Sequence, residues 1–155
     1  MSQQNQSSPK QEFSFTKKNK VSVWASQHPY ADIPDDYFEE RFFKNNTRAK
    51  NTWSDNYRLN YFEPQMMETN GAHTGTIDIQ TAAGECSCSS SFMVNLLSKA
   101  KKNNMQQVSW IILLFEHEYS AKQSGVTQDE YTTFLGAFNY DATSDSLLGE
   151  EEPSQ

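Results

Sequence analysis

Glu116, His117 and Glu118 form the one cluster in this sequence whose residue types could carry acid–base chemistry. A histidine beside a carboxylate can exchange protons near neutral pH. The cluster directly follows an apolar run, residues 110–115, which predicts a strand. Alternate residues of a strand point to opposite faces, so a regular strand would place the imidazole away from both carboxylates. The pattern therefore argues against a shared catalytic site, and we predict that the protein is not an enzyme.

Metal and redox chemistry is also poorly supported. Cys86 and Cys88 form a single C-x-C pair in a serine-rich stretch, whereas a structural zinc site needs about four ligands. The histidines, His28, His73 and His117, are scattered without paired spacing. A disulfide within C-x-C is strained and rare in a reducing compartment. We predict two small thiols in a loop, with no metal and no cofactor.

Known nucleotide, hydrolase and calcium motifs are missing from the sequence. Six glycines in 155 residues form no glycine-rich phosphate loop. The G-x-S-x-G, H-E-x-x-H and EF-hand patterns are absent as well. These absences favour a binding protein over a catalyst.

The chain is acidic, with 13 Lys and Arg against 20 Asp and Glu and a net charge of −7. The imbalance is concentrated in residues 103–155, which hold one lysine and nine acids. Such a chain repels phosphate backbones, so we expect no nucleic-acid binding. The acidic part is consistent either with a merely soluble surface or with a docking surface for a basic partner.

The length and patterning predict one domain. Residues 1–19 are rich in Gln, Asn, Ser and Lys, which predicts a flexible N-terminal arm. Residues 20–141 should form the domain, and residues 142–155 a solvated acidic tail. No apolar run approaches the roughly 20 residues of a membrane span, and no basic-then-apolar signal opens the chain. We therefore expect a cytoplasmic protein without membrane contact.

The elements predict an α+β fold, a mostly antiparallel sheet with two or so helices packed on it. Apolar and alternating patterns predict strands at residues 21–25, 76–80, 108–115 and 132–140. Gly136 in the last of these suggests close backbone approach beneath an aromatic ring. An amphipathic stripe predicts a helix at residues 90–102, capped by Ser89 or Ser90.

The remaining segments are predicted from local signals. Asp32, an early proline and further carboxylates indicate a helix start, followed by Phe38 and Phe42 on one face. Residues 51–56 indicate a loop and residues 57–62 an extended segment. The Asn70-Gly71 pair indicates a turn.

Four stretches, read in order, resemble the immunity 22 family of bacterial polymorphic toxin systems. They are KVSVWA at 20–25, YRLNYFEPQMME at 57–68, WIILLFEHEY at 110–119 and TFLGAFNY at 133–140. Residues around 44–56 and 70–90 look like insertions. The resemblance implies an α+β fold and a non-catalytic protein that binds and neutralises a cognate toxin domain. Nucleases are prominent among such toxins, which would suit a basic partner.

Exposure and charge suggest which residues would contact the toxin. The first group combines predicted outward acids with flanking rings: Glu116, Glu118, Tyr119, Asp129, Glu130 and Tyr131. The second group lies in the predicted first helix: Asp35, Asp36, Glu39 and Glu40. Two alternatives stay open, namely an adaptor or chaperone that holds an effector without inhibiting it, and an enzyme with a site around His117. The oligomeric state is not predicted.

Overall fold

The computed structural model describes residues 11–42, 47–72 and 74–148. The strands are β1 (Thr16–Ser26), β2 (Arg41–Phe42), β3 (Ala49–Lys50), β4 (Met67–Gly71), β5 (Ile77–Asp78), β6 (Gln107–Val108), β7 (Trp110–His117) and β8 (Thr133–Asn139). The α-helices are α1 (Thr52–Asn56), α2 (Ile79–Gly84), α3 (Met93–Lys102) and α4 (Ala121–Ser124). This composition confirms the predicted α+β class.

The main sheet has the strand order β4-β7-β1-β8, and all neighbouring strands are antiparallel. β7 lies inside the sheet, as its continuous apolar run predicts. Residues 21–26 of β1 are buried on both faces, which fits the place of β1 between β7 and β8. β2 pairs with β3, and β5 with β6, as short two-stranded additions.

The sheet separates two cores of different composition. On one face Val21 and Val23 pack with aliphatic residues of α2 and α3. The predicted stripe of α3 is confirmed, with Leu96 and Ala100 fully buried there. On the other face Trp24 packs in a ring-rich core with aromatic residues from two parts of the chain, 15–62 and 110–119: Phe15, Tyr37, Trp53, Tyr57, Phe62, Trp110 and Tyr119.

Two irregularities move side chains from one face of the sheet to the other. Glu116 has a positive φ of 63°, so the alternation of β7 breaks there. Phe115 consequently packs in the aliphatic core and Tyr119 in the aromatic core, whereas the regular alternation expected from the sequence would place both on one face. In β8 the register shifts near Gly136, and Phe134 and Phe138 lie in different cores, whereas regular alternation of the strand predicted at residues 132–140 would place both on one face.

Gly136 itself behaves as predicted. Its φ is +153°, and a Cβ atom built there would approach the Phe138 ring to 2.9 Å. The glycine therefore lies beneath an aromatic ring, and its missing side chain provides the space.

The predicted helix after Asp32 is wrong. Residues Tyr30–Asp32 and Asp35–Tyr37 form two 3-10 turns, and Arg41–Phe42 is strand β2. The capping signals were local, whereas the Tyr37 side chain is drawn into the aromatic core by tertiary contacts. Phe42 stays 54% exposed, so it does not share a buried face with Phe38.

Four further segments differ from the sequence prediction. The predicted loop at 51–56 contains α1, because Asn51 and Ser54 form a reciprocal capping box. The predicted strand at 76–80 stops at Asp78, whose side chain caps α2. Gly71 lies at the end of β4 instead of in a turn. Finally, α3 begins at Met93 without a serine cap.

The chain ends pack more extensively than predicted. β1 begins at Thr16 and Phe15 is buried, so order begins before the predicted Lys20. At the other end the Leu148 N–H donates to the Gly84 carbonyl at 2.9 Å. Residues 142–148 therefore contact the body of the protein, while the rest of the predicted arm (1–10) and tail (149–155) lies outside the described residues.

Candidate interaction surface

The antiparallel sheet has two ends with different surroundings. Ser26 pairs with Trp110, and Thr133 begins β8 beside Ala25, which defines one end. At the other end Thr16 pairs with His117. The seven residues of β8 separate the ends by about 20 Å at the usual rise of a strand. We call the first the acidic end (residues 28–42, 69–72 and 128–132) and the second the arm end (residues 16–20, 116–118, 139 and 140).

The acidic end carries a concentration of carboxylates, and its one Lys or Arg residue, Arg41, is paired with Asp55 at 2.6 Å. Residues 28–40 hold five acids and residues 128–132 hold two, and neither range contains Lys or Arg. Six of these carboxylates form no ion pair with a Lys or Arg of the described residues: Asp32, Asp35, Asp36, Glu39, Glu40 and Glu130. All six residues are exposed, so this end presents a negative surface.

A buried hydrogen-bond network joins the two segments of the acidic end. The Tyr37 hydroxyl donates to the Asp129 carboxylate at 2.5 Å and lies 3.0 Å from the Thr132 hydroxyl. The Tyr57 hydroxyl donates to the Thr132 carbonyl at 2.9 Å. Through these contacts the 3-10 turn at 35–37 is held against the loop at 128–132.

The two tyrosines of this network stay protonated over a wide pH range. Burial, followed by the hydrogen bond to Asp129, raises the pKa of Tyr37. Burial and the charge of Asp129 raise the pKa of Tyr57. Both hydroxyls therefore remain hydrogen-bond donors at neutral pH.

Asp129 is an internal anchor of the loop. One carboxylate oxygen accepts the backbone N–H groups of Tyr131 and Thr132 at 3.0 and 2.8 Å. The other accepts the Tyr37 hydroxyl and the Asn56 side-chain amide, the latter at 2.9 Å. With its acceptor capacity used, Asp129 positions the acidic end more than it offers a free charge.

Several predicted contact residues come together at the acidic end. Asp35, Asp36 and Glu39 are exposed on the turn side, and Glu130 is exposed on the loop side. Tyr131 is half-buried between them, and desolvation with the charges of Glu130, Asp129 and Asp36 raises its pKa. The two groups proposed separately from the sequence thus form one surface in part.

The remaining predicted residues belong to the arm end. Glu116 is half-buried and accepts the Asn19 backbone N–H at 3.0 Å and the Tyr140 hydroxyl. Glu118 is exposed but lies 3.3 Å from the Lys20 ammonium. Both carboxylates are therefore compensated within the molecule, contrary to the free outward face expected from the sequence.

Tyr119 does not lie on the surface. Its side chain is in the aromatic core with 3% of the residue exposed. The hydroxyl donates to the Val126 carbonyl at 2.6 Å and lies 2.5 Å from the Ser124 hydroxyl. Burial raises the pKa of Tyr119 to about 12. Its ring stabilises the fold and is not available as a flanking contact.

A groove at the acidic end was missed by the sequence analysis. Tyr30, Phe38 and Trp110 line it together with residues 69–72, and its volume is about 250 Å³. The sequence patterns predict a strand core for Trp110 and a helix for Phe38, so they do not indicate that the two rings meet. Of the three rings, only Tyr30 lies in a segment with a local signal, because its His-Pro-Tyr sequence indicates a turn. Tyr30 is 59% exposed in the structure.

His117 of the candidate catalytic cluster and the Cys86 thiol are both buried. The His117 ring is buried, its Nδ1 atom lies 2.9 Å from the Phe115 carbonyl, and burial lowers its pKa. Cys86 is buried, and burial raises the pKa of its thiol to about 12. Among the described residues no three His, Cys, Asp or Glu side chains cluster as a metal site. No helix in that same part of the chain is long and apolar enough to span a membrane.

Comparison with known proteins identifies one family. Residues 21–141 match the sequence profile of the family described as Immunity protein 22, which confirms the resemblance seen in the sequence. Neither the curated proteins nor the solved structures include a significant match.

Proposed function

We propose that this chain, which belongs to the Immunity protein 22 family, binds a cognate toxin domain in the cytoplasm through its acidic end and neutralises it. The observation that carries the proposal is the set of six exposed carboxylates without an ion-pair partner in the described residues. Unpaired charge of one sign steers an oppositely charged partner and speeds association. The protein itself transforms no substrate.

The proposed toxin is a nuclease domain with a basic surface. A nuclease accepts a polyanion, and a protein surface of concentrated carboxylates can occupy the same basic site. The half-buried Tyr131 and exposed Tyr30 among these acids add contact area with little loss of side-chain entropy. The rings supply apolar burial, and the carboxylates supply steering and specificity.

The test uses the toxin domain encoded beside this chain. We expect the wild-type protein to protect cells that express the toxin and to inhibit its nuclease activity in vitro. The variant Asp36→Lys/Glu130→Lys should bind the toxin about 10–100-fold more weakly, because like charges facing each other cost several kcal/mol. The loss should appear mainly in the association rate and should shrink at high salt.

The matched control reverses two exposed acids elsewhere, Glu118→Lys/Asp145→Lys, with the same change in net charge. It should change toxin affinity less than threefold if the acidic end is the interface. Equal losses in the two double variants would contradict the placement of the interface.

The adaptor or chaperone alternative predicts a different result in the same assay. A carrier would bind the toxin with similar affinity, but the bound nuclease would stay active. A complex that retains full nuclease activity would therefore contradict neutralisation without contradicting binding.

A further inference from the structure

The groove at the acidic end has walls made of aromatic rings. The Tyr30 and Trp110 rings lie 6.0 Å apart between centroids at 89°, and the Phe38 and Trp110 rings 5.0 Å apart at 74°. Trp110 is 3% exposed and its indole N–H is buried, so ring carbon is what it contributes to the lining. The walls therefore combine apolar surface with the negative faces of aromatic rings.

The size of the groove fits a single side chain. Its volume of about 250 Å³ is below the roughly 300–1,000 Å³ usual for small-molecule sites. A second groove of about 170 Å³ adjoins it and shares Tyr30 and Phe38 as lining residues. A protein side chain that enters from a docked partner is the occupant that such a shallow, open pair of grooves can hold.

The charge around the groove favours a cation. Asp35 lines the adjoining groove, and no Lys or Arg lines either groove within the described residues. Asp32 and Asp36 lie close to Asp35 in the sequence and are exposed. Neither forms an ion pair with a Lys or Arg of the described residues. An aromatic-walled groove beside unpaired carboxylates attracts a cationic group by its charge and by its ring faces.

The edge of β4 adds hydrogen-bond acceptors. The Ala72 N–H donates to the Ser109 carbonyl, toward the neighbouring chain segment. Successive residues of an antiparallel strand direct their N–H and C=O groups to opposite sides, so the N–H and C=O groups of Thr69 and Gly71 point toward the open edge of the sheet. Thr69 and Gly71 also line the groove. Several acceptors beside aromatic rings suit a planar guanidinium, which stacks on rings and donates in several directions, better than an ammonium.

We propose that this groove receives one arginine side chain of the bound toxin and that this arginine is an anchor of the complex. The inference rests on the proposed function and adds the chemistry of the contact. The guanidinium would lie among the three rings, with the Asp35 carboxylate and the β4 carbonyls as its acceptors. Arginine enrichment among interface anchors follows from the same properties.

The first measurement compares three variants for binding to the cognate toxin domain. Tyr30→Ala should weaken binding about tenfold, because it removes one wall of the groove, and the 59% exposure of Tyr30 leaves the fold intact. Tyr30→Phe keeps the ring and should stay within about twofold of the wild type. Val94→Ala removes an exposed apolar side chain of α3 that lies outside the acidic end and lines neither groove, and it should have no effect.

The decisive measurement is a double-mutant cycle between Tyr30→Ala and Arg→Met or Lys→Met variants of the toxin. One arginine should lose its contribution when Tyr30 is already absent, with a coupling of about fivefold or more. Coupling to a lysine alone, to an apolar residue, or to no residue would overturn the arginine inference. In that case, toxin binding by the wild-type protein would still support the proposed function. Failure of the wild-type protein to bind the toxin would overturn both.

Discussion

The two ends of the sheet hold similar chemical groups and use them differently. Each has a tyrosine hydroxyl that donates to a carboxylate, Tyr37 to Asp129 at the acidic end and Tyr140 to Glu116 at the arm end. The first pair is an internal anchor that leaves other acids free. At the arm end the second pair and the Lys20–Glu118 ion pair account for both acids of residues 116–118. The two ends therefore differ in how much of their negative charge is unpaired, and this difference supports the acidic end as the proposed docking surface.

The basic start of β1 explains the difference. Residues 16–20 contain three lysines, and antiparallel pairing with β7 places this segment beside residues 116–118. The corresponding strand ends at the acidic end bring no lysine or arginine into residues 28–40 or 128–132. The topology thus compensates the charge of one end and leaves the other negative.

The largest expected effect is on the strand that borders the acidic end. A Cβ atom at Gly71 would lie 2.3 Å from the Ser109 carbonyl oxygen and 2.6 Å from the Trp110 Cα. Backbone atoms cannot rotate away, so Gly71→Ala should force β4 from β7 and lower the unfolding free energy by about 3 kcal/mol or more. Urea denaturation measures the change, and toxin affinity should fall with it because the groove is distorted.

Gly75→Ala is the matched control for this substitution. Gly75 has nothing within 4 Å of a built Cβ but a φ of +69°, so the control should cost only about 1 kcal/mol of left-handed strain. Similar losses for the two alanine variants would show that contact with β7 does not fix the position of β4.

The next largest effect is expected when the hydroxyl is removed from each of the two tyrosine–carboxylate pairs. Tyr37 is 2% exposed, and Tyr37→Phe leaves the buried side of Asp129 without its hydroxyl donor. The loss should be about 1.5–3 kcal/mol, the range for hydrogen bonds to charged groups. Tyr140→Phe should cost about 1 kcal/mol or less, since half-buried Tyr140 lets water replace the hydroxyl at Glu116. Equal costs measured by urea unfolding would remove the structural difference between the ends.

The sequence predicted the parts of the fold that depend on local pattern. The runs of β1, β7 and β8 and the stripe of α3 are long enough for periodicity to identify them. Two 3-10 turns form where the sequence predicts a helix, because neither turn has a side-chain cap and the Tyr37 side chain is held by Asp129, 92 residues away. Local signals cannot include such a contact.

The candidate site shows the same limit at the level of single residues. Exposure of an acid was inferred from strand alternation, which fails at the positive φ of Glu116. Whether a carboxylate is free depends on partners such as Asn19, which is 97 residues from Glu116. The groove depends on a tertiary meeting of Tyr30, Phe38 and Trp110, for which the sequence has no pattern.

The tyrosines of the acidic end predict loss of stability at high pH. The pKa of Tyr57 and Tyr37 is raised in the folded state, mainly by burial, above the ordinary value near 10 of the unfolded chain. Their contribution is complete below pH 10 and is lost as pH rises above it, by up to about 1.4 kcal/mol per pH unit for each tyrosine. Tyr57→Phe should show a shallower decline of unfolding free energy between pH 10 and 11. An unchanged slope would contradict the burial of this hydroxyl.

The arm end should lose stability in the opposite direction. Burial lowers the pKa of His117, although its hydrogen bond to the Phe115 carbonyl and the charge of Glu116 act against this. The unfolded chain therefore binds a proton first, and the stability present above pH 6.5 declines as pH falls below it. In urea titrations at pH 7 and 5.5, His117→Gln should lose less stability than the wild type. If the variant lost as much stability between pH 7 and 5.5 as the wild type, protonation of carboxylates alone would account for the loss.

The smallest effect concerns the exposed ion pair at the arm end. Lys20 and Glu118 lie 3.3 Å apart with Glu118 exposed, and such surface pairs are typically worth about 0–1 kcal/mol. Glu118→Gln should change the unfolding free energy by less than about 0.5 kcal/mol, and added salt should remove even that difference.

The affinity of the Glu118→Gln variant for the toxin should match the wild type within twofold. Glu130→Gln should weaken binding measurably at low salt, because Glu130 has no cation of the described residues to compensate it. A larger loss from Glu118→Gln than from Glu130→Gln would assign the docking role to the arm end and reverse the comparison between the two ends.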